Sequence, residues 1–160
     1  MRPTELAADD VPMLAVVAHA LAEVGEPDAV VLLQPTSPLR QARHIDEALE
    51  MWLESGADTV VSVVEVPHSY TPCSLMRLES GRLRPYGGDL GPLDRQNKER
   101  LYARNGPAVL VTRPAVVRSG SLYGTNIRPY VMSRCDSVDV DEPEDLALAE
   151  LCLAGAHRRG

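Results

Sequence analysis

The sequence predicts an α/β fold: a largely parallel sheet with helices packed on its faces. Three observations carry that prediction. Short runs of β-branched and aliphatic residues at 29–33, 59–64 and 108–112 alternate with stretches whose apolar residues recur at helical spacing. Glycines and proline-containing loops punctuate the run ends, as at Gly25, Pro35 and Gly56. The chain has 160 residues, 44% of them hydrophobic, which is enough for one sizeable core and makes one domain the expectation.

Residues 1–10 are too polar for a strand, and Asp9 or Asp10 can cap the helix that follows, with Pro12 in its first turn. Met13, Val16, Val17, Ala20, Leu21 and Val24 then fall on one helical face, and Gly25 ends the run. His19 lies off that face and reads as a solvated helix residue. The run 29–33 reads as a strand buried on both faces of a parallel sheet. It leads into Gln34-Pro35-Thr36-Ser37-Pro38-Leu39-Arg40, a loop stiffened by two prolines. That loop leaves the carboxyl end of a strand, where open α/β sheets place their ligands. A second helix carries Ile45, Ala48, Leu49, Trp52 and Leu53 on one face and stops at Gly56. The strand 59–64 completes a βαβ unit, whose crossover is expected to be right-handed.

The pattern changes at 68–101, which is rich in Pro, Gly and Arg and only weakly periodic. Two short runs flank Glu79-Ser80-Gly81, the signature of a hairpin outside the main sheet. Its apolar residues, Leu75, Met76, Leu78, Leu83, Tyr86 and Leu93, point to an interface, and a homodimer through this excursion is expected. The sheet resumes at 108–112, Pro114 opens a short helix through about Ser119, and 130–132 reads as one more strand. The alternating stretch 137–141 follows. Glu142-Pro143-Glu144-Asp145 then opens a last helix through about Ala156, with proline and acids where a helix start favours them.

A net charge of -7, with Lys98 the single lysine, argues against nucleic acid or a membrane surface as the main partner. Cys73, Cys135 and Cys152 form an odd set without a CxxC spacing and read as reduced thiols. With no apolar run of membrane-spanning length, the expectation is a soluble, cytoplasmic protein.

Several residues are equipped for chemistry. Gln34 offers an amide, Thr36 and Ser37 offer hydroxyls, and Arg40 is a fixed cation, although an ordinary strand-to-helix connection would use the same residue types. Asp139 and Asp141 alternate with Val138 and Val140, so in a strand they share a face with Cα atoms ~6.5–7 Å apart. Such a pair can hold a hard cation with water completing the shell, or Asp141 can cap the helix after it. Arg104-Asn105-Gly106 combines hydrogen-bonding groups with a residue that permits a tight turn. Arg95, standing alone, reads as a solvated surface arginine.

Taken together, QPTSPLR at 34–40, Arg95-Gln96, Arg104-Asn105-Gly106, Tyr130-Val131-Met132-Ser133 and SVDVDEPEDLALAE from Ser137 resemble the motifs of the N-acylneuraminate cytidylyltransferases, in that family's order. Pro107 stands where the family often continues with Ala. The resemblance runs from Arg2 nearly to the end and covers roughly the last two-thirds of such an enzyme. It implies a Rossmann-like three-layer nucleotide-diphospho-sugar transferase fold, truncated at the N-terminus, with 68–101 as a dimerisation excursion. It implies transfer of CMP from CTP to an acidic nine-carbon sugar with release of pyrophosphate. By the resemblance, Asp139 and Asp141 bind Mg²⁺ and Arg95 reaches the sugar carboxylate. Gln34, Thr36, Ser37, Arg104, Asn105 and Gly106 then shape the substrate pocket. Family members open with a strand and a Gly/Arg/Lys-rich loop around the triphosphate, which has no counterpart here, so this chain alone is expected to bind CTP poorly. The alternative is a non-catalytic remnant or structural partner subunit that keeps the fold.

Overall fold

The structure, a computed structural model, describes residues 3–6, 8, 11–88 and 99–157. The expected caps Asp9 and Asp10, together with Leu93, Arg95, Gln96 and Lys98, lie outside the described residues. The chain divides into two compact units, one formed by 1–63 and 104–160, the other by 64–103.

In the first unit, helix α1 (Met13–Val24) leads to strand β1 (Val30–Leu32), helix α2 (Ala42–Ser55) and strand β2 (Thr59–Glu65), which crosses into the second unit. The second unit contains the hairpin β3 (Met76–Glu79) and β4 (Arg82–Pro85), and β5 (Tyr102–Arg104) returns the chain to the first. There β6 (Leu110–Thr112), α3 (Pro114–Arg118), β7 (Ile127–Met132) and α4 (Pro143–His157) follow.

The main sheet corrects the parallel expectation. β6 pairs antiparallel with β1, Val31 opposite Val111, and antiparallel with β2, Val60 opposite Val111. β1 and β2 therefore run parallel to each other with β6 inserted between them, and β7 pairs with β2. Side-chain burial is the same in either strand direction, so the apolar runs could not report it. β1 is also not buried on both faces. It stands at the end of the strand order, and Val31 is 37% exposed.

Helices cover both sheet faces because neighbouring strand residues point opposite ways. On one face Ala48 and Trp52 of α2 pack with Val60, Val109, Val111, Tyr130 and Met132. On the other, Val17 and Leu21 of α1 pack with Val117 of α3 against Val30 and Leu32. Val61, Val63 and Leu110 extend the apolar layer around Leu32. The α2 face is as expected except for Leu53, which is 70% exposed and belongs to the solvent side. Gly56 ends α2 in the left-handed region, φ 62°, as the stop signal requires. Burying Ala48 and Trp52 ties α2 to the sheet by apolar transfer of several kcal/mol, at roughly 25 cal/mol per Å². The guanidinium of Arg113 lies 5.2 Å over the Trp52 ring.

In the second unit, β3 and β4 pair antiparallel with Leu78 opposite Leu83 and Glu79 opposite Arg82. Ser80 (φ 49°) and Gly81 (φ 77°) make the two-residue turn, both left-handed as such hairpins need. The expected hairpin is present. Leu78 and Leu83 are 71% and 64% exposed.

Candidate active site

Three segments of the first unit converge beyond the end of β1. The loop 34–40 folds on itself: the Ser37 N–H donates to the Gln34 carbonyl and the Arg40 N–H to the Ser37 carbonyl, both at 3.4 Å. Arg40 then clamps it, its guanidinium donating to the carbonyls of Gln34 at 2.8 Å and Ala108 at 2.9 Å. The second segment is the turn before β6, where the Gly106–Pro107 peptide is cis and Gly106 has φ 112°. The Gln34 amide donates to the Gly106 carbonyl at 3.1 Å. The third is 138–141, joined to the loop by a 2.8 Å bond from the Val140 N–H to the Thr36 carbonyl.

Gly106 is the centre of this meeting. A Cβ there would lie 3.2 Å from both Asp139 Oδ2 and Ser37 Oγ, so any side chain would crowd the carboxylate and the hydroxyl together. Two polar atoms at this point are buried without a hydrogen-bond partner among the described residues, Ser37 Oγ and Asp139 Oδ1. Buried polar groups are ordinarily paired, and an uncompensated carboxylate oxygen is costly to bury. A hydroxyl and a carboxylate with open acceptor sites, both approaching Gly106, suit a hard cation or a ligand bearing donors.

The carboxylate is held in place from behind. Asn105, 5% exposed, turns its side chain into the core, where Oδ1 accepts from the Ser62 hydroxyl at 2.6 Å and Nδ2 donates to Ser137 Oγ at 2.8 Å. Ser62 Oγ in turn accepts from the Val109 N–H at 2.9 Å. This chain of bonds connects β2, the turn before β6 and the residue two positions before Asp139. Val138 is buried with Leu39 and Ala149, which faces Asp139 the other way.

The stretch 137–141 is not a strand, contrary to the expectation. It keeps the alternation, with Val138 buried and Asp141 exposed, but pairs with a loop and not with a sheet. Asp141 does not cap α4 with its own side chain. Asp145 Oδ2 accepts from the N–H groups of Asp141 and Glu142 at 3.1 and 3.0 Å, leaving the Asp141 carboxylate at the surface. The guanidinium of Arg104 stacks 5.0 Å over the Tyr123 ring. Thr36 meets the site through its carbonyl. Thus Gln34, Ser37, Gly106 and Asp139 gather at one point with Asn105 behind them, while Arg104 lies over the Tyr123 ring and the Asp141 carboxylate is at the surface.

Sequence reasoning missed the support. Arg40 was legible as a cation but not as a clamp on two carbonyls. Ser62 and Ser137 carry no local signal, because their role depends on contacts 43 and 32 residues away. His44 is 2% exposed and caps α2: its Nδ1 accepts from the Gln41 N–H at 3.1 Å. Burial and then the adjacent Arg43 guanidinium lower its pKa, against the opposing pull of Asp136 and Glu47. Tyr130 donates to Glu47, and burial followed by that bond raises its pKa.

The architecture is a nucleotide-diphospho-sugar transferase fold. It matches the solved structure of CMP:2-keto-3-deoxy-manno-octonic acid synthetase complexed with CTP with a TM-score of 0.57 at 15% identity, over 94% of this chain and 70% of that one. In sequence the chain is similar to the N-acylneuraminate cytidylyltransferase of Streptococcus agalactiae serotype V, 31% identical over 145 residues, covering 91% of this chain and 35% of that protein. The N-acylneuraminate cytidylyltransferase of Escherichia coli O18:K1:H7 is 28% identical over 151 residues, again with 35% of that protein covered. The CMP-N,N'-diacetyllegionaminic acid synthase of Legionella pneumophila is 31% identical over 125 residues, 53% of its length. No protein-family model matches the chain. The resemblance read from the motifs is the one these comparisons show, and the chain spans about a third of the length of the first two relatives. No helix among the described residues is long and apolar enough to cross a membrane.

Proposed function

We propose that this chain supplies the metal and acceptor-sugar side of a CMP transfer from CTP to an acidic nine-carbon sugar, with pyrophosphate released. The observation that carries the reading is the pair of unpartnered buried oxygens, Ser37 Oγ and Asp139 Oδ1, on two residues that both approach Gly106, in a chain similar to N-acylneuraminate cytidylyltransferases. The donor set fits Mg²⁺, which takes one or two carboxylates and completes its shell with water and phosphate oxygens. Asp139 would hold it, with Asp141 as an outer partner. When bound, the ion neutralises phosphate charge during the displacement.

The chain's own groups do the rest. Gln34 spends its amide N–H on the Gly106 carbonyl, so its Oε1 is oriented to accept from a sugar hydroxyl. The unpartnered Ser37 hydroxyl can donate a hydrogen bond to the sugar or accept one from it. Arg95, outside the described residues, is assigned to the sugar carboxylate by the family's motif. The exposed Leu78 and Leu83 of the hairpin support a homodimer through the second unit.

One observation favours the second reading, a partner subunit that binds without turnover. Both described arginines from the site motifs are committed, Arg40 to two carbonyls and Arg104 to an aromatic face, and a triphosphate needs cations. Titration of N-acetylneuraminate into the chain with Mg²⁺, alongside a pyrophosphate-release assay with CTP, separates the readings. Sugar binding with release supports catalysis, binding without release supports the partner subunit, and no binding at either metal or sugar refutes both.

A further inference from the structure

Cys135 and Cys152 have no part in the site just described, and the sequence reads them as ordinary reduced thiols. The structure brings their sulfurs to 2.6 Å. One sits in the turn after β7 and the other in α4, and both belong to the first unit. They share a cavity of ≈ 450 Å³ with Arg40, Gln41, Ser133 and Asp136, and Cys135 is exposed, so a small oxidant has access. Cys73 lies in the second unit, 3.2 Å from the Thr71 hydroxyl. Among the described residues no group of three or more His, Cys, Asp or Glu side chains is arranged to hold a metal.

We propose that Cys135 and Cys152 are a site of reversible oxidative modification, closing to an intramolecular disulfide under a peroxide. One thiolate attacks the peroxide O–O bond, becoming a sulfenic acid as hydroxide leaves. The second thiolate then attacks that sulfur, the S–S bond forms as a second hydroxide leaves, and the two hydroxides take up the protons the two thiols gave up. In sum two thiols and one hydrogen peroxide give one disulfide and two waters. Thiol reductants reverse the step by exchange. The ring so closed runs from Cys135 to Cys152 and contains Val138, Asp139 and Asp141. Oxidation thereby ties the turn preceding Asp139 to α4, the helix against which Val138 packs through Ala149. The modification is independent of the reading of the site as a CMP-transfer centre, because it is detected without substrate.

The experiment treats the native chain with hydrogen peroxide, counts thiols before and after, and maps peptides by mass spectrometry. The expected result is loss of two of the three thiols, an intact mass lower by two hydrogens, and a Cys135–Cys152 linked peptide that dithiothreitol removes. Cys73→Ser should behave in the same way and end with no titratable thiol. Cys135→Ser and Cys152→Ser should each fail to form an intramolecular disulfide. Separate oxygen adducts on the two cysteines, or disulfides only between chains, would overturn the proposal. Linkage that forms only in urea would overturn it too, since it would not arise from the native approach.

Discussion

Replacing Asn105 by alanine tests the network behind the site. The change removes the acceptor of the Ser62 hydroxyl, 2.6 Å away, and the donor to Ser137 Oγ, 2.8 Å away. Ser62 is fully buried and still receives the Val109 N–H, so what it loses is an outlet for its own proton. An unsatisfied buried donor costs about 1–3 kcal/mol, and the second hydrogen bond adds about 1 kcal/mol, less because Ser137 is half-buried and can turn to water. The sum is about 2–4 kcal/mol, a large part of the stability of an ordinary domain. Trp52, the single tryptophan, is 6% exposed in the core and reports unfolding in urea by its fluorescence. The midpoint should fall with the slope unchanged, and a cycle with Ser62→Ala should show the two losses to be strongly non-additive. A loss below about 0.5 kcal/mol, the range of ordinary surface changes, would refute the network's role.

Four further outcomes are expected. Gly106→Ala places a Cβ 3.2 Å from Ser37 Oγ and Asp139 Oδ2 in a left-handed backbone, and should weaken Mn²⁺ binding while circular dichroism stays native. Gly124→Ala puts a Cβ 2.3 Å from that of Asp58, and should cost about 1–3 kcal/mol in the same urea assay. Burial lowers the folded pKa of His44 below its ordinary value of 6.5, so as pH falls through that value the unfolded chain takes up the proton more readily than the folded chain. Stability should therefore decline as pH falls from 7 through that value, and His44→Gln should flatten the decline. The oxidised chain should unfold at higher urea than the reduced one, by about 3 kcal/mol for a ring of this length.

The motifs made the loop 34–40, the turn at Gly106 and the Asp139 stretch legible, because each carries local chemistry: two prolines, a glycine and alternating carboxylates. The α2 face was legible for the same reason, through the spacing of Ala48 and Trp52. Strand direction was not, since β6 buries Leu110, Val111 and Thr112 equally well in either sense. Nor were the supports. Arg40 meets Ala108 across 68 residues, and Ser62 meets Asn105 across 43, distances over which a sequence carries no periodic signal. Cys135 and Cys152 are 17 residues apart with no motif spacing, and only the packing of α4 brings them together.

The divalent-cation site proposed at Ser37 and Asp139 would serve an acidic sugar substrate. Mn²⁺ titration followed by electron paramagnetic resonance, on the chain and on Asp139→Asn, tests it most directly. The expected result is one site in the native chain and a loss of affinity of at least about tenfold in Asp139→Asn, with the fold unchanged. Equal Mn²⁺ affinity in the two proteins would contradict it.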